Sequence, residues 1–166
     1  MAWIVWEVFT KRWLERAERG KQCIDDGDRF ISLWVAFNGW LKGKYGETID
    51  DHSLIEKVKK LVEMEHVFDD LKNSSNSFVR DLNELSSYEV HDMRYPNDRH
   101  PKKYDGTFGS LIATIYKIRC NLFHGRKNIN DNEKDFKLVV LAYRILLPLF
   151  KEYLARYSSY VSHAIT

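Results

Sequence analysis

Cysteine, proline and glycine are scarce in this chain, with 2, 3 and 8 of them among 166 residues. Two cysteines, Cys23 and Cys120, are too few for a disulfide framework. Neither stands in a CxxC or Cys/His spacing that suits zinc, so a reduced, cytoplasmic setting is expected. The low glycine and proline content excludes a disordered or low-complexity chain and leans towards a compact helical protein. Long apolar runs are missing too: the longest, residues 30 to 41, contains Ser32 and Asn38 and falls far short of the roughly 20 residues a membrane-spanning helix needs. No membrane association is expected. At the N-terminus no basic segment leads in, and Glu7 interrupts the apolar run, so no targeting segment is expected there. An excess of one charge is also lacking. With 26 Lys and Arg against 24 Asp and Glu the net charge is +2, too small to announce nucleic-acid binding, so any basic patch must be local.

What is present is core material. A content of 44% hydrophobic and 14% aromatic residues suits one core in a chain of ordinary domain size, and residues 1–166 are expected to form a single helical domain. Apolar spacings of three to five residues predict helices over residues 2 to 24, 29 to 41, 50 to 70, 75 to 88, 108 to 123 and 132 to 157, the last with Pro148 as a candidate kink. The second is apolar nearly all round and should lie in the middle of the molecule. Asp25-Asp26-Gly27-Asp28 reads as the break after the first helix, with Asp28 the N-cap of the second and Gly43 and Gly46 closing it. Asp50 or Asp51, and Ser74 or Ser75, read as the next caps. Residues 89 to 107 hold two prolines and almost no periodicity and form the one long loop, made basic by His91, Arg94, Arg99, His100, Lys102 and Lys103. No segment alternates as a strand. The expected fold is all-α, a single compact bundle of about five to six helices.

Within this pattern one segment carries chemistry: Arg119-Cys120-Asn121-Leu122-Phe123-His124-Gly125, at the end of a core helix. Arginine keeps its charge at any physiological pH and offers a planar fork to phosphate, while histidine titrates nearest neutrality. On an ideal helix Phe108, Leu111, Ile112, Ile115, Ile118 and Leu122 form one stripe, and Arg119 falls about 45° from its centre. The guanidinium therefore points partly inward and must be held by a carboxylate, by backbone carbonyls or by a bound phosphate. An unbroken helix would carry His124 about 140° away from Arg119, and Gly125 offers the bend that turns it back. Lys117, Arg119, Arg126 and Lys127, interleaved with Tyr116 and Phe123, make a local cationic and aromatic strip that suits a polynucleotide. Chance placement alone gives about 0.4 such arginine-to-histidine spacings in a chain of this composition, so the helix-end setting carries the signal, not the spacing. Of the other groups, Asn38 in the second helix reads either as a core hydrogen bond or as support for this site. His52, His66 and His163 read as solvated, and the aspartates at 25, 26 and 28 as a helix break, with no metal.

Together, the 108 to 123 helix with Ile-Arg-Cys-Asn-Leu-Phe-His-Gly, the buried Phe-Ile-Ser-Leu-Trp-Val-Ala-Phe-Asn-Gly-Trp-Leu helix before it, and the long last helix resemble the HEPN superfamily, whose R-x4-6-H motif marks many RNases. The resemblance implies a small HEPN-like all-α bundle that pairs into a homodimer, with two motifs facing one cleft. It also implies metal-independent endoribonuclease activity needing no cofactor, as in toxins or phage-defence effectors, with RNA as substrate and an antitoxin or regulatory protein as partner. Carried over by position, His124 takes the proton of a ribose 2'-OH and Arg119 stabilises charge on the phosphorane, leaving a 2',3'-cyclic phosphate and a 5'-OH. Asn121, Lys117, Arg126, Lys127 and Asn38 are the supporting residues. Cys120 departs from the polar residue the family usually has after the arginine, and Asn121, one place later, substitutes in part. The alternative is a non-catalytic HEPN-like module that binds RNA, a nucleotide or a protein. A third reading makes Arg119 the ion pair of a purely structural subunit.

Overall fold

The computed structural model describes residues 2–19, 26–92, 100–123 and 133–158, the side chains of 2–5 excepted. Its elements are α1 (Ala2–Arg19), α2 (Asp26–Tyr45), α3 (Asp51–Val58), α4 (Val62–Ser74), α5 (Asn76–Leu85), β1 (Glu89–Val90), β2 (Lys102–Lys103), α6 (Phe108–Phe123) and α7 (Glu133–Tyr157). The fold is all-α as expected, with seven helices among the described residues and one antiparallel ladder of two residues a side, Glu89 facing Lys103 and Val90 facing Lys102. No helix of the described residues is long and apolar enough to cross a membrane.

Four expectations need correction. The helix expected over 50 to 70 is two helices, interrupted at Lys59–Leu61, where Leu61 is extended (φ −79°, ψ 96°). Val58 and Val67 are both fully buried, yet nine residues of unbroken helix would set them about 180° apart. Only a break lets both face the core. The second helix begins at Asp26, so Asp28 lies in its first turn rather than at its N-cap, and Gly27 is a buried helical residue rather than a breaker. There the acidic side chains at 26 and 28 meet the positive end of the helix dipole. Nor does Gly43 close this helix. It lies inside, and the chain turns at Gly46, whose φ of +131° favours glycine. Finally, the loop over 89 to 107 contains the short ladder, which puts Val90 and Tyr104 in the core.

Gly39 and Gly43, one turn apart on α2, have a packing role. A methyl group at Gly39 would lie 2.4 Å from Phe9 Cε1, and one at Gly43 would lie 2.7 Å from Trp6 Cβ. The two glycines make the groove into which α1 settles. Phe9 turns its ring edge to Trp6 there, with centroids 5.5 Å apart at 77°. Alanine is the better helix former by about 1 kcal/mol, but Gly43→Ala is expected to destabilise the protein by about 1–3 kcal/mol through overpacking. Trp6 Cβ is fixed to its backbone and cannot rotate away. Urea unfolding checks the sign, and a raised midpoint would show that α1 shifts at no cost. Near the other end of α1, carbonyls accept hydrogen bonds from side chains. The Arg29 guanidinium donates to Ala17 O and Glu18 O (2.9 and 2.8 Å), and the Tyr143 hydroxyl also donates to Ala17 O (3.2 Å).

The core runs along α7, whose buried residues from Leu138 to Tyr153 meet α2, α4, α5 and α6. Phe30, Phe37, Phe68, Phe108 and Phe150 are the largest side chains fully enclosed. Helix α7 continues through Pro148, which lies one turn after Arg144 and cannot donate to its carbonyl.

Candidate functional site

The site is built on the C-terminal half of α6. Five of the six stripe residues expected on this helix, Phe108, Leu111, Ile112, Ile115 and Ile118, are buried, and Leu122 packs against the core while partly exposed. Arg119, at the edge of that stripe, is half-buried. Of the three ways expected to hold its charge, a carboxylate does so: Arg119 Nη2 donates to Asp51 Oδ2 at 3.1 Å, with the two side chains 21% and 27% exposed. Local chemistry at the start of α3 frees that carboxylate. Asp50 is the N-cap, accepting from Ser53 N (2.9 Å) and Ser53 Oγ (2.7 Å), bonds that hold its carboxyl below the usual carboxylate range. Asp51, the next residue, faces α6 instead.

Aromatic rings enclose the rest of the guanidinium. Its Cζ lies 4.8 Å from the Phe123 ring centroid and 5.6 Å from that of Trp34 on α2, and Trp34 stacks on Tyr116 (6.1 Å, 29°). Arg119 Nη1 lies 4.0 Å from Cys120 Sγ. Burial pushes the Tyr116 hydroxyl up to about 12, and the neighbouring Cys120 thiol and Asp51 carboxylate add to the effect. Two buried donors here, Arg119 Nε and Trp34 Nε1, have no hydrogen-bond partner among the described residues.

The other expected site residues divide into two groups. Lys117 Nζ donates to Asp92 Oδ2 at 2.7 Å in a largely buried pair, and Asn121 Nδ2 donates to His91 O at 2.7 Å. One turn apart on α6, both residues hold the start of the basic loop against the helix. His91, His100, Lys102 and Lys103 of that loop are exposed, as are His52 and His66. Asn38 is half-buried on α2 and makes no hydrogen bond to Arg119 among the described residues. The α2 residue that reaches the arginine is Trp34, one turn earlier. His124, Arg126 and Lys127 lie outside the described residues, as does Gly125. Among the described residues, no three His, Cys, Asp or Glu side chains stand together so as to hold a metal ion.

Sequence reasoning missed Asp51 and Trp34 as partners of Arg119. The signal for Asp51 was available in part: two adjacent aspartates opened one helix, and a helix has one N-cap. Trp34 carried no such signal, because nothing in a helix apolar nearly all round marks one of its rings as the partner of a cation. Fold and site together define an all-α bundle with an arginine–carboxylate pair at the end of a core helix. Compared with models of known families, with curated proteins and with solved structures, the chain matches none.

Proposed function

We propose that the protein is a metal-independent endoribonuclease of HEPN type, acting on RNA in a cytoplasmic setting as a homodimer with a composite site. In this reading Arg119 stabilises charge on the transferring phosphate and His124 moves the proton. The observation that carries it is the state of Arg119: a guanidinium at the end of α6, oriented by Asp51 through Nη2 and walled by Trp34 and Phe123. Nε has no partner among the described residues, five residues before the histidine. Preorganised cations aimed at developing charge are a large source of rate enhancement, and acid/base transfer adds to it. A role as a toxin or phage-defence effector, held in check by an antitoxin or regulatory protein, belongs to the same proposal. Lys117 and Asn121 enter it as residues that fix the basic loop beside α6.

A specific observation also favours a second reading. Asp51 already balances the charge of Arg119, as the ion pair of a non-catalytic module or structural subunit would. RNA incubated with the protein in EDTA separates the two readings. Cleavage leaving 2',3'-cyclic phosphate ends is expected from the wild type. Folded His124→Ala and Arg119→Ala variants should lose most of it. Full cleavage by either variant would sink the proposal, and salt-sensitive RNA binding without cleavage would establish a binding module.

A further inference from the structure

Helix α6 ends in an exposed ring. Phe123 takes no part in the core, whereas its neighbour Leu122 packs against it. One face of the Phe123 ring is already taken, since the Arg119 guanidinium lies over it at 4.8 Å. The same guanidinium lies over Trp34 at 5.6 Å, and Trp34 stacks in turn on Tyr116. Planar groups in series, Tyr116, Trp34, Arg119 and Phe123, thus lead outward from the bundle: Trp34 is buried, Arg119 half-buried and Phe123 exposed. The series is held in place, because Asp51 fixes the guanidinium through Nη2. A singly exposed apolar ring needs no explanation by its surface alone. What sets Phe123 apart is that it ends a column of stacked planes and rests on a cation.

From this series we infer that the outer face of Phe123 is a stacking subsite for one unpaired nucleobase of RNA, the base next to the phosphate that Arg119 receives. The inference rests on the reading of Arg119 as a phosphate-binding group. A strand whose phosphate meets the guanidinium carries a base within one nucleotide of it, and a nucleobase is the planar group that extends the column by one layer. Charge argues against the other occupants. A cation brought by a protein partner would face the charge of Arg119 across a single ring. An aliphatic side chain would cover the ring but bring no phosphate for the guanidinium. The substrate class follows as well. A base within a duplex is already stacked on both faces and must be pulled out at a cost, so single strands and hairpin loops are favoured. Every base offers a π-face, so the subsite detects the presence of a base more than its identity.

The test uses the full chain and two labelled 2'-O-methyl oligonucleotides of equal length, one of adenylates and one with the same backbone but no bases. Neither can be cleaved through its 2'-oxygen, so fluorescence anisotropy gives a dissociation constant for each. The wild type is expected to prefer the adenylate oligomer. Phe123→Leu keeps an apolar side chain without a ring, and should cut that preference by about 5- to 150-fold, the worth of one stacked base. Phe123→Trp should preserve it. The ratio of the two constants is the readout, because a purely structural role of the ring would move both together. No binding of the adenylate oligomer, no preference in the wild type, or a preference that Phe123→Leu leaves intact would each overturn the inference. So would a fall from dimer to monomer in Phe123→Leu, which would make the ring a contact between copies. Cleavage of unmodified RNA in EDTA is scored separately. A ring-dependent preference in a protein that cleaves nothing sinks the nuclease reading and leaves the subsite, whereas cleavage without the preference sinks the subsite alone.

Discussion

Replacing Phe150 by alanine is expected to lower the free energy of unfolding by about 3–5 kcal/mol, the range for deleting a fully buried aromatic side chain and leaving a cavity. The ring is fully enclosed. It stands edge-on to Phe37 (5.1 Å, 83°) and Trp40 (5.6 Å, 62°), so its loss opens a void where α7 crosses α2. Neither neighbour can fill that void without leaving its own packing: Phe37 is also held against Trp34, and Trp40 against Tyr153 at 5.1 Å. A cavity that cannot collapse puts the loss in the upper part of the range. Phe123→Ala is the control for aromatic deletion as such, because Phe123 is 47% exposed and should cost far less. Urea unfolding makes the comparison, with the midpoint falling and the slope constant if only stability changes. Equal losses from the two variants would remove Phe150 from the centre of the core.

The second large effect is alkaline. Burial raises the hydroxyls of Tyr104 and Tyr153 to about 12, with Asp105 adding to the first and Glu63 to the second. In the unfolded chain both ionise near 10. Because the folded value is the higher one, the stability held in the neutral phenols is fully present below pH 10 and is lost as pH rises from 10 to 12. Each residue is 6% exposed or less, so each contributes on the order of 2–3 kcal/mol. Tyrosinate absorbance and helical circular dichroism, recorded together, provide the check. Tyr104 and Tyr153, and Tyr116 with them, should titrate late, together with helix loss. Titration of all nine tyrosines around one midpoint near 10, with the helical signal intact, would contradict the burial of both rings.

Much of this fold was legible in the chain because helix periodicity is a local signal. The ends of α6 follow from the apolar stripe between Phe108 and Phe123, and Ser75 caps α5, its hydroxyl accepting from Phe78 N (3.3 Å). The α3–α4 break is subtler, since neither glycine nor proline marks it. Its trace is the phase conflict between Val58 and Val67, visible only when burial is demanded of both. The inward lean of Arg119 could be computed from angles along one helix. Its partner could not: Asp51 lies 68 residues away, and a pairing of that span depends on how α3 packs on α6. The same holds for Lys117, which composition places in a cationic strip, and for Asn121, expected to support the site: tertiary contact assigns both to the loop. Gly43 shows the converse case. Local rules read a glycine near a helix end as a stop, whereas the close approach of a second helix is what requires it.

The three tethers on α6 have a dynamic consequence. From Lys117, Arg119 and Asn121 they reach back 25, 68 and 30 residues, to Asp92, Asp51 and His91. A helix end ordinarily frays one residue at a time, at almost no free-energy cost. Here the last two turns can open only by releasing the loop start and the first turn of α3 as well. The end of α6 therefore behaves as part of one cooperative opening unit assembled from three separate stretches of chain, and amide exchange there is governed by the three attachments together, not by distance from the helix terminus.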